Sequence, residues 1–330
     1  MIQLIMGEPK LKKISKVLVT GGAGFIGSHL VDRLLSEDFE VTIFDDFSTG
    51  QMKNISAHIN LEEFHLVRGD VRDIGLAKKV VEDVDAVFHE AALVDVPLSI
   101  EKPLLFNEVN LVGTLNMLNA CSNSNVKRFV FASSAAVYGD SKPARKKENT
   151  LCKPISPYGV SKLAAENYVK VFNELYGLET VSLRYFNVYG PRQFAGSSYN
   201  AVINAFISRL LNGQPPVIYG GGKQTRDFVH VDDVVSANML ALKNKNAVGE
   251  VFVIANGTAI SVYELAKELQ KITNTERLKP IFAEPRVGDI KHCSADISKA
   301  EKLLGFRPKI QLEDGLSSLV KWHLNAMHDD

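Results

Sequence analysis

Thr20-Gly21-Gly22-Ala23-Gly24-Phe25-Ile26-Gly27 stands between a β-branched run, Val17-Leu18-Val19, and a segment whose Ile26, Leu30 and Leu34 recur at helical spacing. Glycines at 22, 24 and 27, and in a second register at 21, 24 and 27, leave few folds open. One glycine permits a tight turn from strand to helix. A second lets the backbone approach a bulky anionic group, and a third lets the helix pack close to the sheet. A helix N-terminus at such a turn offers free amides and the positive end of its dipole to phosphate. The pattern predicts strand, glycine turn and helix, with a dinucleotide pyrophosphate at the turn.

Further apolar runs follow at residues 41–44, 64–67, 84–88, 128–132 and 180–183, with helix-length segments such as 105–121 between them. Strand alternating with helix predicts an α/β fold, a Rossmann-type doubly wound parallel sheet covered by helices on both faces. Strands buried on both sides read as largely apolar runs, as these do. A long helix is expected over Pro157–Tyr176, with Ser156 as its N-cap and Pro157 at its first position. After Pro191 the alternation loosens. Residues 190–198 read as a loop, Gln214-Pro215-Pro216 and Gly220-Gly221-Gly222 mark turns, and helices are expected at Val262–Ile272 and 297–304. The reading divides the chain into residues 1–190 with the glycine turn, and residues 191–330 as a smaller C-terminal α/β part, some of the chain crossing between the two.

Lys plus Arg equals Asp plus Glu at 38 each, so the net charge is zero and neither a nucleic-acid groove nor a membrane-binding patch is expected. Any anion must be held locally. The apolar runs are strand length, short of the ~20 residues that a membrane span needs. Cys121, Cys152 and Cys293 lie far apart with no CxxC pair, which argues against a metal site or a disulfide framework and for a reducing, cytoplasmic setting. The first 13 residues, with Lys10, Lys12 and Lys13, read as a poorly ordered leader rather than a signal peptide.

Asp45 closes the second strand, 18 residues after Gly27. An acid there accepts from ribose hydroxyls and repels a 2′-phosphate, which favours NAD over NADP. Alternatively, Asp45 and Asp46 cap a loop. Asp70, after the third strand, suits either an adenine edge or a turn cap. Tyr158 and Lys162 are four residues apart and share one helix face. A free phenol has a pKa of about 10, and a neighbouring ammonium lowers it. Ser133-Ser134 follows the fifth strand, at the sheet's carboxyl edge where α/β proteins bind ligands. A hydroxyl there can hold a substrate oxygen while Tyr158 takes its proton. Alone, each is as readily an amphipathic helix or a turn former; in this order, after the glycine turn, they point to catalysis. His89 and His230 sit beside strands and read as core histidines.

The segments TGGAGFIGSHL, FASSAAVYGD, SPYGVSK, LRYFNVYGPRQ, TRDFVHVDD and PRVGDI resemble the extended short-chain dehydrogenase/reductase superfamily, and within it the UDP-glucose 4-epimerase family, from about Val17 into the C-terminal region. The resemblance implies NAD as cofactor, Tyr158 as the base, Lys162 on the nicotinamide ribose and Ser134 on the sugar hydroxyl. It assigns Gly21, Gly24, Phe25, Ile26, Gly27, Asp45, Asp46, Asp70, Val71, Ala91, Asn110 and Tyr185 to the cofactor site. Arg226 and Arg286 would hold the pyrophosphate of a UDP-sugar, Asn187 would contact it, Tyr219 would flank uracil and Asp289 would reach the uridine ribose. Cys293 matches a position beside the sugar, where a small residue leaves room for an N-acetyl group. Val94 stands where some members have a lysine near the cofactor phosphates, which implies looser NAD binding. Related 4,6-dehydratases carry acids where this chain has Ala135-Ala136, so oxidation and re-reduction at C4 is expected without elimination. The rivals are a UDP-glucuronate epimerase or decarboxylase and a catalytically silent NAD-binding regulator. The resemblance also implies a homodimer built through a four-helix bundle.

Overall fold

The structure is a computed structural model that describes residues 14–193, 202–285 and 293–328. The expected leader, Arg286, Asp289 and most of the 190–198 loop lie outside the described residues. The first half contains β1 (Lys16–Thr20), α1 (Phe25–Ser36), β2 (Glu40–Asp45), β3 (Phe64–Arg68), α2 (Ile74–Val80), β4 (Ala86–His89), α3 (Val96–Glu101), α4 (Pro103–Asn107), α5 (Gly113–Ser122) and β5 (Arg128–Ser134). The middle holds β6 (Arg145–Lys146), α6 (Pro157–Tyr176), β7 (Glu179–Tyr185), β8 (Asn187–Tyr189), α7 (Val202–Leu211), β9 (Val217–Tyr219) and β10 (Thr225–His230). The remainder is α8 (Val231–Lys243), β11 (Val251–Ile254), β12 (Ala259–Ser261), α9 (Val262–Ile272), β13 (Ile281–Ala283), β14 (Ser294–Ala295) and α10 (Leu312–His328).

Seven strands form one sheet in the order β11-β7-β5-β4-β1-β2-β3, every neighbouring pair parallel. The order reverses between β1 and β4, and a ligand crevice opens outside the strand ends at such a point. The sheet is buried on both faces except at its edge strand β3, where His65, Leu66 and Arg68 are exposed. Val17, Val19, Val41 and Ile43 pack beneath α1 and α8, and Leu18, Val87, Phe129 and Phe131 pack beneath the layer that holds α5 and α6. A third cluster, with Phe206, Leu265, Leu269 and Leu316, forms the core of α7, α9 and α10. Burial of such side chains, worth roughly 1.5–3 kcal/mol each, drives both layers together.

The chain does not divide at one point. α8 packs on β5 and β7, and β11 extends the large sheet beyond β7, although both follow residue 190. β8 and β10 pair in parallel, with β12 antiparallel on the far side of β10, so the substrate-side sheet starts directly below the end of β7.

Two expected helices take different forms. The segment 105–121 is not one continuous helix: a π-helical turn, Glu108–Val112, separates α4 from α5. The extra residue lets Gly113 lie against Val71, where a Cβ would come within 2.6 Å of the valine side chain. Apolar periodicity carries no sign of such an insertion. Likewise, the 297–304 segment is largely a π-helical turn, Ala300–Leu304, closed by Gly305 at φ 78°. By contrast α6 runs over the expected residues. Ser156 Oγ accepts from the Gly159 amide at 3.1 Å, Pro157 opens the helix, and Gly177 ends it in the left-handed region.

Candidate active site

The glycine turn comes first because its geometry sets where a cofactor can lie. Gly21 has φ 69°, and a Cβ there would sit 2.8 Å from the Ala91 nitrogen, so only glycine lets β1 pass the end of β4. A Cβ on Gly27 would collide with the Gly21 carbonyl. α1 begins at Gly24 with no side-chain cap and no acidic residue in its first turn. Its amides and the positive end of its dipole are therefore available to an anion. This cradle, which side chains would fill, fits the phosphates of a dinucleotide.

The acids around the turn are engaged with the backbone. Asp45 Oδ2 accepts from the Ala23 amide at 2.9 Å and Oδ1 from the Phe47 amide at 2.8 Å, tying the end of β2 to the turn. Burial raises the pKa of this carboxyl. Asp46 is exposed and accepts from the Ser48 amide. Asp70 accepts from the Arg72 amide and pairs with its guanidinium, so it caps its turn. Val71 is buried against Gly113. Asn110, inside the π-helical turn, is not part of the cleft wall: it donates to Leu93 O and Ser161 Oγ and accepts from Leu93 N, pinning the strand-to-helix segment after β4.

A cleft of about 390 Å³ opens at the carboxyl edge of the sheet. From the large sheet and its helices come Phe25, Ile26, Glu90, Ser134, Tyr158, Lys162 and Tyr185; from the other side come Asn187, Tyr219, Arg226 and Cys293. Ten of the residues singled out in the sequence thus meet in one space. Lys162 is 3% exposed, and its Nζ donates to Ala132 O at 2.8 Å, lying 5.0 Å above the Phe131 ring. Burial lowers its pKa to about 8, while the negative charge of Glu90 opposes that fall. Ser134 Oγ accepts from the Ala136 amide at 3.1 Å, which leaves the hydroxyl proton without a partner among the described residues. Tyr158 is 8% exposed and packs edge-on against Phe106. A phenol, an ammonium one helical turn away and a hydroxyl donor on the adjoining strand can together take a proton from a bound hydroxyl and steady its oxygen.

Behind the cleft, Ser133 Oγ donates to Glu166 Oε2 at 2.6 Å, and Arg184 holds both oxygens of Glu166 at 2.9 and 2.6 Å. Arg184 also donates to the Tyr138 hydroxyl at 2.9 Å. This buried network ties α6, β5 and β7 together where Tyr158 and Ser134 must keep their spacing. Arg226 donates to Thr225 O, and Asn187 to Asp227 O at 3.0 Å. Asp227 is fully buried; burial pushes its pKa up to about 7, and it accepts from the Asn256 and Ala295 amides. His89 is wholly buried between Thr20 and Thr114, and burial lowers its pKa to about 3; His230 accepts from the Asp232 amide and caps α8. Both are structural.

Comparison with known proteins agrees with this geometry. The pattern of the NAD dependent epimerase/dehydratase family matches residues 17–255. The chain belongs to this family. A UDP-N-acetylglucosamine 4-epimerase from Methanobrevibacter ruminantium, solved with UDP-N-acetylmuramic acid, is 41% identical with a TM-score of 0.90, over 96% of this chain and 100% of its own. A UDP-glucose 4-epimerase from Thermotoga maritima, solved with UDP-glucose, is 36% identical with a TM-score of 0.89, over 94% and 99%. A UDP-glucose 4-epimerase of Mycolicibacterium smegmatis is 35% identical over 94% of this chain and 99% of its own. As a family member, the chain is an NAD-dependent enzyme of the epimerase class.

Sequence reasoning missed Glu90 and the Glu166–Arg184 pair. Each left a signal: Glu90 follows a buried strand into the carboxyl edge, Glu166 lies one turn beyond Lys162 on the same face, and Arg184 interrupts an apolar strand.

Proposed function

We propose that the enzyme interconverts UDP-hexoses that differ at C4, UDP-glucose with UDP-galactose and, given the small Cys293 in the cleft wall, their N-acetylated counterparts. One observation carries this reading: Ser134, Tyr158 and Lys162 converge on one cleft, while the neighbouring Ala135 and Ala136 bring no carboxylate to it. The phenol of Tyr158 takes the proton of the sugar 4-hydroxyl, assisted by the Lys162 ammonium. The Ser134 hydroxyl donates to the same oxygen as it becomes a carbonyl. Bound NAD supplies reversible hydride acceptance at C4. With the opposite face of the 4-keto sugar presented, Tyr158 returns the proton and the C4 epimer leaves. Without an acid or base at residues 135 and 136, nothing there withdraws the C5 proton, which favours epimerisation over elimination. Arg226 suits the diphosphate because its planar fork can hold two phosphate oxygens, and Tyr219 offers a ring to the base. Asp45 at the end of β2 is assigned to the adenosine ribose, each of its oxygens accepting one backbone amide and keeping a further lone pair for a ribose hydroxyl.

We also infer a homodimer. Leu104 on α4 and Tyr168, Val171 and Leu175 on α6 are exposed, and the α6 residues recur at helical spacing along one stripe. No helix among the described residues is long and apolar enough to cross a membrane. Three free cysteines fit a reducing, cytoplasmic setting.

Incubating the purified protein with NAD and UDP-galactose, UDP-N-acetylgalactosamine or UDP-glucuronate tests the reading. Formation of the C4 epimer from either of the first two, without NADH accumulating, is expected. Turnover of UDP-glucuronate alone, or release of carbon dioxide, would overturn it.

A further inference from the structure

Lys162 is a buried ammonium whose hydrogen bond goes to a neutral carbonyl, Ala132 O, and no carboxylate pairs with it directly among the described residues. An ammonium so placed sheds its proton easily. On the same wall of the cleft stands Glu90, directly after β4, the one carboxylate among the described lining residues, which the proposed reaction does not use. Its position is built rather than incidental. Tyr185 donates from its hydroxyl to Glu90 Oε1 at 2.8 Å, and Asn238 Nδ2 donates to the Tyr185 oxygen at 2.7 Å, a chain running from α8 through β7 to β4. The Asn238 side chain is also anchored to Val234 O at 3.0 Å. Tyr185 from β7 is the hydrogen-bond partner of Glu90; the other titratable groups lining the cleft are Lys162 and Tyr158 from α6 and, on the opposite wall, Tyr219, Arg226 and Cys293, while His89 on its own strand bonds to Thr20 and Thr114 in the core.

We propose that Glu90 is a positioning residue that acts through Lys162: its carboxylate, held by the Tyr185 hydroxyl, is the countercharge that keeps the Lys162 ammonium protonated beside Tyr158. The inference rests on the reading of Tyr158 as the proton acceptor only for its consequence in catalysis; the charge coupling is a property of the protein without ligand. Burial brings the pKa of Glu90 up to about 7 and that of Lys162 down to about 8, so the pair is charged together in a narrow window around neutral to mildly alkaline pH. A neutral amine beside the phenol would no longer favour a phenolate there.

The test is competitive acetylation of the apo protein with trace acetic anhydride across pH 6–10, Lys162 being read by peptide mass mapping. The rate follows the unprotonated amine. Glu90→Gln keeps an acceptor for Tyr185 but removes the charge, and its Lys162 midpoint is expected to fall by about one pH unit. Glu90→Asp keeps the charge and is expected to keep the wild-type midpoint. A wild-type midpoint in Glu90→Gln, or equal shifts in both variants, would overturn the proposal. In an enzyme that turns over UDP-hexoses, the alkaline limb of kcat/KM should move with the Lys162 midpoint. Because labelling needs no substrate, absence of epimerase activity would count against the function alone and would leave the coupling result standing.

Discussion

At the residue scale, the proposed reaction depends on the Tyr158 phenol, one helical turn from the Lys162 ammonium in the same cleft. Tyr158→Phe keeps the ring that packs against Phe106 but removes the proton acceptor. It should reduce kcat by roughly 10²–10⁴-fold with little change in KM for the UDP-sugar, as measured by steady-state kinetics. The sign of the pH dependence follows from Lys162. Its pKa is lowered to about 8, so the useful, charged form is present below that value and is lost as pH rises through it. The kcat/KM profile, which reports groups of the free enzyme, should therefore fall above about pH 8. Gly21 makes a separate prediction. Gly21→Ala adds a Cβ 2.8 Å from the Ala91 nitrogen at a backbone φ of 69°, so β1 and β4 must part at the phosphate cradle. Calorimetric NAD affinity should drop by at least about tenfold, accompanied by a loss of stability of roughly 1–2 kcal/mol for the left-handed strain alone.

At the element scale, α6 holds Tyr158 and Lys162 one turn apart, and the Glu166–Arg184 pair fixes the helix to β7. Both partners are about 6% exposed, so removing one leaves an uncompensated charge in the interior. Arg184→Met should cost about 3–5 kcal/mol in urea unfolding, more than any change at a surface ion pair such as Lys170–Glu174. α6 was legible in the sequence because its start signal is local: Ser156 as N-cap and Pro157 at the first helical position. The glycine turn was legible for the same reason. The π-helical turn at Glu108–Val112 was not, because one extra residue in a helix changes hydrogen bonding without disturbing apolar spacing enough to show. Nor was the commitment of Asn110 to Leu93 and Ser161, which depends on where three separate segments meet.

At the scale of the whole molecule, the parallel sheet followed from strand–helix alternation, whereas its strand order and the return of β11 to its edge did not. That strand pairs with β7 across more than sixty residues of intervening chain, and a single sequence carries no record of such pairing. The result is a cleft with Ser134, Tyr158 and Lys162 on one wall and Asn187, Tyr219 and Arg226, the residues proposed for the diphosphate and the base, on the other. The exposed stripe of Tyr168, Val171 and Leu175 belongs to this scale too. Replacing Val171 and Leu175 together by glutamate should convert a dimer to monomers in sedimentation equilibrium; an unchanged mass would place the interface elsewhere.

The reaction itself is tested most directly with UDP-galactose carrying deuterium at C4, incubated with the enzyme and NAD in ordinary water. Oxidation and re-reduction at one carbon within a closed cleft predicts UDP-glucose with the deuterium still at C4 and none in the solvent. UDP-glucose that has exchanged its C4 deuterium for solvent hydrogen, or a labelled 4-keto-6-deoxy product in its place, would contradict the account.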